Sequence, residues 1–289
     1  MSRHPPPPPL SEVPLEAGLY VVATPIGNLR DITLRGLDVL AGCDLLLAED
    51  TRVTGKLLAA YGLSKTMLRY DEHAAERARP RIMAALEQGQ SVALVSDAGT
   101  PLVSDPGYRL VREVVAAGHR VFPIPGPSAA LAALTLGGLP TDRFLFAGFA
   151  PTRSAARRTF FSAFAPVQAT LIFYESGPRL SASLTDMAAV FGNREAAVAR
   201  ELTKLFETVV RGPLEDLAAD PRLDGPKGEI VVLVGPGTHV ASTPEDADAA
   251  LADALTRLPP GEAASEVAKA LGLNRRDLYR RAVALKDGR

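Results

Sequence analysis

The runs LYVVATPIG, DLLLAED, SVALVSDAGTP and VFPIPGPSA, all in the first half of the chain, each end in a loop of glycine, proline or carboxylate residues. Between them lie LRGLDVLAGC, KLLAAYG, ARPRIMAALEQGQ and GYRLVREVVAAGHR, which read as helices. Runs without polar alternation suit strands covered on both faces, and no hairpin signal joins one run to the next. The first half is thereby restricted to an α/β fold with a mostly parallel sheet.

After Leu139 strands become denser: RFLFAGFA, QATLIFYES, EAAVARELT, ETVVRG and KGEIVVLVGP alternate with the helical TRSAARRTFFSAFA and PRLSASLTDMAAVFG. A second α/β unit with antiparallel neighbours is expected. GPGTHVASTP reads as a linker, and the chain beyond it carries only helical pattern. The expected organisation is a disordered, proline-rich leader over 1–17, an α/β domain over 18–136, a second over 137–238, and a helical module over 245–289.

Charge and cysteine content remove several function classes. The net charge of −1 gives no whole-molecule attraction to a polyanion, so any nucleic-acid contact needs a local basic patch. Cys43 is the single cysteine and the four histidines, His4, His73, His119 and His239, are scattered, which argues against a disulfide and against a zinc site. No acidic cluster suggests another metal. The weakly polar run Ala129–Leu139 is shorter than the roughly 18 residues of a membrane span, and MSRHPPPPPL has no apolar signal region. A cytoplasmic protein is expected.

In a parallel sheet, ligands bind beyond the carboxyl ends of the strands. The loops there are ATPIGN (23–28), AEDTR (48–52), SDAGTP (96–101), PGPSA (125–129), FYES (173–176) and RELTK (200–204). Small residues let backbone approach a ligand, and the carboxylates accept from hydroxyl or amino groups. Phosphate fits poorly, because neither G-x-x-x-x-G-K-[ST] nor G-x-G-x-x-G is present after the first strand. A ligand with a ribose, an amino group and a positive centre suits these loops better.

The blocks YVVATPIGNLRDITLRGLDVL, AEDTR, ALVSDAGTPLVSDPGY, PIPGPSA, GLPTDRFLFAGF, TLIFYES, ARELTK and KGEIVVLV resemble, in order, the ribosomal RNA small subunit methyltransferase I family of the tetrapyrrole methylase superfamily. The resemblance implies two α/β domains with a cofactor cleft between them and a small helical C-terminal module. It also implies S-adenosylmethionine as methyl donor, 2′-O-methylation of a cytidine ribose in the decoding region of 16S rRNA, a 16S rRNA or 30S-subunit substrate, and a homodimer. Two segments depart from the family pattern: Gly177-Pro178-Arg179 stands where Pro-His-Arg is usual, and Tyr70-Asp71-Glu72-His73-Ala74 differs from Y-H-E-H-N at two positions.

Methyl transfer to a hydroxyl needs positioning and a group that helps the proton leave. Asp97, Gly99 and Thr100 are assigned to the donor with Pro25, Gly27 and Tyr174, while Ser128 and Ala129 offer helix N-terminal amides to its carboxylate. Lys204 and Glu201 are the first candidates for the base and Glu175 the next, with an ion-pair network of Arg200, Glu201 and Lys204 as the competing reading. Arg153, Arg157 and Arg158, at i, i+4 and i+5, form a candidate phosphate-binding flank, joined by Arg30. In the C-terminal module Arg275, Arg276, Arg280 and Arg281 decorate a helix that reads as the recognition helix of a helix-turn-helix, or as part of an architectural hairpin. The same chain could instead be a methyltransferase of a tetrapyrrole or other small molecule, or a helix-turn-helix nucleic-acid-binding regulator.

Overall fold

The computed structural model describes residues 10–11, 13–72, 74–103, 107–237, 244–271 and 273–287; His73 lies outside them. The chain divides into two compact units after Pro236.

The first unit holds two five-stranded sheets. The first is built from β1 (Gly18–Val22), β2 (Leu45–Ala48), β3 (Met67–Arg69), β4 (Ser91–Val95) and β5 (Val121–Ile124), in the order β3-β2-β4-β1-β5. All its pairings are parallel. β3, a three-residue edge strand, is absent from the sequence reading. Helices α1 (Leu34–Gly42) and α2 (Thr51–Ala60) cover one face through Leu37, Leu40, Leu57 and Leu58. α3 (Ala75–Glu87) and α4 (Tyr108–Ala116) cover the other through Ile82, Leu86, Leu110 and Val114. β1 and β4 are neighbours, yet the helices that follow them leave to opposite faces. A crevice therefore opens beyond their carboxyl ends, the ligand position of open α/β sheets.

The second sheet contains β6 (Phe144–Phe149), β7 (Thr170–Ser176), β8 (Glu195–Arg200), β9 (Thr208–Pro213) and β10 (Glu229–Val234), in the order β6-β7-β10-β8-β9. Only β6 with β7 is parallel. One face packs on α6 (Ser154–Ser162), α7 (Leu180–Phe191) and α8 (Leu214–Ala219) around Phe161, Phe173, Leu184 and Met187. The other packs on α5 (Ala129–Gly137), the helix that links the sheets. Its close approach depends on Gly137, where a Cβ would stand 2.4 Å from Leu233 Cδ1.

The expected leader over 1–17 is too long. Leu15 packs on the α1 side of the first sheet, Tyr20 Oη donates to Glu16 O (2.9 Å), and Glu16 pairs with Arg120. These contacts dock the chain before Gly18. Cys43 is a buried core residue, and burial pushes its thiol up to about 11.

The second unit contains α9 (Pro244–Ala254), α10 (Pro260–Leu271) and α11 (Arg275–Asp287) around Leu251, Ala263, Val267 and Leu278. Asn274 caps α11 by accepting from Arg276 N (2.8 Å). Among the described residues, no helix is long and apolar enough to cross a membrane.

Candidate active site

A cleft of about 380 Å³ opens between the two sheets of the first unit. Its first wall is Ile26 from the loop after β1, Glu49 after β2, Asp97 to Thr100 after β4, and Ser128 and Ala129 at the start of α5. The opposite wall is Phe149 from β6, Tyr174 to Ser176 from β7, Leu202, and Gly228 to Val231 entering β10.

Local geometry explains which residues reach the cleft. Thr24 and Gly99 form an isolated bridge that ties the loops after β1 and β4, with Gly99 at φ +80°. A Cβ there would meet Ile26 Cγ2 at 3.3 Å, so glycine keeps both backbone geometry and space. Thr100 Oγ1 donates to Pro127 O (3.0 Å), joining the loop after β4 to the turn that starts α5. Ser128 holds the N-cap of α5 without a side-chain cap bond, and Ser128 and Ala129 line the cleft.

The carboxylates are arranged by the helix that follows β2. Asp50 is the N-cap of α2, accepting from Arg52 N (2.8 Å) and pairing with the Arg52 guanidinium (2.5 Å). Those contacts hold its carboxyl well below the usual range. Glu49 therefore supplies the side chain that lines the cleft. Asp97 N–H donates to Glu49 Oε2 (3.3 Å) and Asp50 N–H donates to Asp97 Oδ1 (2.9 Å). Burial pushes the Glu49 carboxyl up; the bond from Asp97 opposes this and the charges of Asp97, Asp71 and Asp50 add to it. Burial likewise raises Asp97, with the Asp50 amide opposing and the Asp50 charge reinforcing. Two carboxyls with raised pKa facing one crevice suit a ligand bearing positive charge and hydroxyl donors.

On the opposite wall Glu175 is fully engaged. Its Oε1 accepts from Ser176 N (2.8 Å), its Oε2 accepts from Ser183 Oγ, and Arg179 Nε stands 3.2 Å away.

Of the residues assigned from sequence, Asp97, Gly99, Thr100, Ser128, Ala129, Tyr174 and Glu175 line the cleft. Pro25 and Gly27 do not; Ile26 between them does. Gly27 instead lets the loop after β1 abut the loop after β8, since a Cβ there would stand 2.4 Å from Lys204 Cγ. Asn28 N–H donates to Thr203 Oγ1 (3.1 Å) across this contact. In the same loop Lys204 Nζ binds Glu201 Oε1 (2.8 Å) and Glu229 Oε2 (3.0 Å). Burial pulls the Lys204 ammonium down, but its bonds to Glu201 and Glu229 outweigh burial and leave it raised. Lys204 does not itself line the cleft and takes part in the ion-pair network that was the competing reading of this segment. Glu201, whose carboxyl the Lys204 ammonium and the Glu229 amide hold down, likewise does not line the cleft, whereas Glu229 does.

Arg157 is also corrected. It is 4% exposed and forms a buried pair with Asp186 (2.6 Å), with further bonds to Thr152 O and Ala182 O, each 3.2 Å. It ties α6 to α7 and has no path to a phosphate. Arg153, Arg158 and Arg30 are exposed. So are Arg275, Arg276 and Arg280, whereas Arg281 is half-buried and pairs with Asp248 (3.2 Å).

Residues 18–218 match the profile of the Tetrapyrrole (Corrin/Porphyrin) Methylases, and residues 241–286 match the RsmI C-terminal HTH domain. The chain is 55% identical over 276 residues to the ribosomal RNA small subunit methyltransferase I of Mesorhizobium japonicum, spanning 95% of this chain and 94% of that relative. The chain belongs to the ribosomal RNA small subunit methyltransferase I family. A second member, from Erythrobacter litoralis, is likewise 55% identical over 276 residues, covering 96% of this chain and 98% of the relative. The family's two-sheet unit is shared with uroporphyrin-III-C-methyltransferase from Thermus thermophilus, at TM-score 0.54 and 22% identity over 75% of this chain and 94% of that one. That likeness concerns the fold.

Proposed function

We propose that this protein transfers a methyl group from S-adenosylmethionine to the 2′-hydroxyl of a cytidine ribose in the decoding region of 16S rRNA. The carrying observation is the cleft itself, with paired carboxyls of raised pKa on one wall and apolar and aromatic side chains on the other. Family membership makes small-subunit rRNA the substrate that fits best.

The residues present fit the donor. Gly99 leaves room for backbone approach, Glu49 and Asp97 accept from ribose hydroxyls or an amino group, and the N-terminus of α5 favours a carboxylate. Ile26, Leu202, Ile230 and Val231 provide an apolar surface for a ring. When bound, S-adenosylmethionine supplies a methyl carbon activated by its sulfonium. The chain then has to position the hydroxyl and accept its proton. Glu229 lines the cleft beside the charged Lys204, so the pair offers a carboxylate acceptor next to a cation that favours the developing alkoxide. Glu175, engaged by Ser183, Ser176 and Arg179, orients that wall.

In this reading the protein works as a cytoplasmic homodimer on 16S rRNA or the 30S subunit, metal-independently, with the exposed arginines of α11 contacting phosphate. Calorimetric titration with S-adenosylmethionine and S-adenosylhomocysteine tests the donor site. Binding of both supports the reading; binding of neither removes it.

A further inference from the structure

The second sheet contains an irregularity that redirects one aromatic ring. In β6 the register with β7 runs Phe144 to Thr170, Leu145 to Leu171 and Phe146 to Ile172, then resumes with Gly148 at Phe173 and Phe149 at Tyr174. Ala147 is the extra residue, and Gly148 adopts φ +71°. Side chains alternate between faces along a strand, so three residues apart would place Phe146 and Phe149 on opposite faces. In a regular strand Phe149 would point toward α6 and α7. With the bulge, both rings meet Tyr174, at centroid distances of 4.8 Å for Phe146 and 5.5 Å for Phe149. Bulges are common beside active sites, where they re-aim a side chain.

The redirected ring is only partly packed. Phe149 is 56% exposed while lining the cleft, and it meets Tyr174 edge to face at 66° rather than stacked. It stands on the wall opposite Asp97, Gly99 and Ser128, the donor loops. Four residues later Arg153, exposed, stands at the N-terminus of α6, and Arg158 is exposed on the same helix. An open aromatic face followed by a cationic flank is the pattern by which proteins hold single-stranded nucleic acid, bases on the ring and phosphates on the cations.

We infer that Phe149 is the stacking platform for the nucleobase of the nucleotide being methylated, so that this base leaves its own stack to bring its ribose to the cleft. This rests on the methyltransferase reading above. Phe149 is a positioning residue: its ring acts on the base, and the reaction occurs at the ribose.

The test uses full-length protein and two RNA substrates, one natural and one with an abasic ribose at the target nucleotide, which keeps the 2′-hydroxyl. Phe149→Ala should raise KM for natural RNA about tenfold or more, the scale of one lost base–aromatic stack. On the abasic RNA, wild type and Phe149→Ala should have the same KM within about twofold. Phe149→Trp should restore KM on natural RNA, Phe149→Leu should not, and donor Kd should stay constant in all three variants. Equal losses on both RNAs, rescue by leucine, or a donor Kd that rises with the RNA KM would overturn the inference, the last by making the ring a platform for the donor's adenine. A wild-type protein that methylates neither RNA overturns the methyltransferase reading, and this inference with it.

Discussion

Thr24 and Gly99 exchange both backbone hydrogen bonds, 2.9 Å from Thr24 N to Gly99 O and 3.0 Å from Gly99 N to Thr24 O. Two loops that follow neighbouring parallel strands are thereby fastened to each other, and the floor of the cleft becomes rigid backbone. Gly99→Val should cost about 1–2 kcal/mol of stability from the left-handed conformation alone. It should also reduce donor affinity at least tenfold by moving this floor. Thermal melting and calorimetric titration measure the two effects; an unchanged donor affinity would make the loop a strand terminator only.

In the proposed function, Glu49 and Asp97 should couple donor binding to pH. Their folded-state pKa values are raised, so the folded protein binds more protons than the unfolded chain above the ordinary carboxylate range. Stability contributed by these two groups therefore falls as pH rises through the raised values and is regained below the ordinary range. Glu201, lowered by Lys204, runs the other way: its contribution is present above the ordinary carboxylate pKa and is lost as pH falls through its lowered value. A positively charged donor requires Glu49 and Asp97 ionised. Its affinity should decline on acidification before free carboxylates would begin to titrate. In a Glu49→Gln, Asp97→Asn variant affinity should be lower and this pH limb absent, as read by titration across pH.

Arg157 and Arg158 are adjacent in sequence and opposite in consequence. Arg157→Ala leaves Asp186 buried without its partner and should cost about 3–5 kcal/mol. Arg158→Ala, at an exposed position, should leave stability within about 0.5 kcal/mol and weaken RNA binding. Urea unfolding of both variants, with RNA affinity measured where each is folded, separates the roles.

Arg275 and Arg276 occupy the first turn of α11, where the helix dipole disfavours cations and a bound phosphate would relieve them. Replacing both by Gln should reduce the log–log slope of RNA affinity against salt by roughly 0.7–0.9 per lost contact. Arg281→Gln should change it less, because Arg281 already pairs with Asp248. Coincident salt curves for all variants would make the C-terminal unit architectural.

The sheets and the rim of the cleft were legible because buried parallel strands leave continuous apolar runs that stop at small-residue loops, as at Val95 before Asp97 and Gly99. β3 was not, since three residues pairing along one edge carry no period. Glu49 lies inside the AEDTR loop, and the sign that it rather than Asp50 faces the cleft is Asp50 in N-cap position before Thr51, which commits that carboxylate to the helix. Arg157 shares a stripe with Phe160, Phe161 and Phe164, the residues that face the core, and that pattern marks it as buried. Phe149 depends on a bulge that alternation does not reveal. Lys204 reached its partner Glu229 only through the pairing of β8 with β10.

The proposed function makes a ribose of small-subunit rRNA the methyl acceptor. Nucleoside mass spectrometry of 16S rRNA, from a strain lacking this gene and from the same strain carrying wild type or Gly99→Val, tests it most directly. A 2′-O-methylcytidine should disappear with the gene, return with the wild type, and stay strongly reduced with Gly99→Val. An unchanged 2′-O-methylcytidine content in the deleted strain would contradict it.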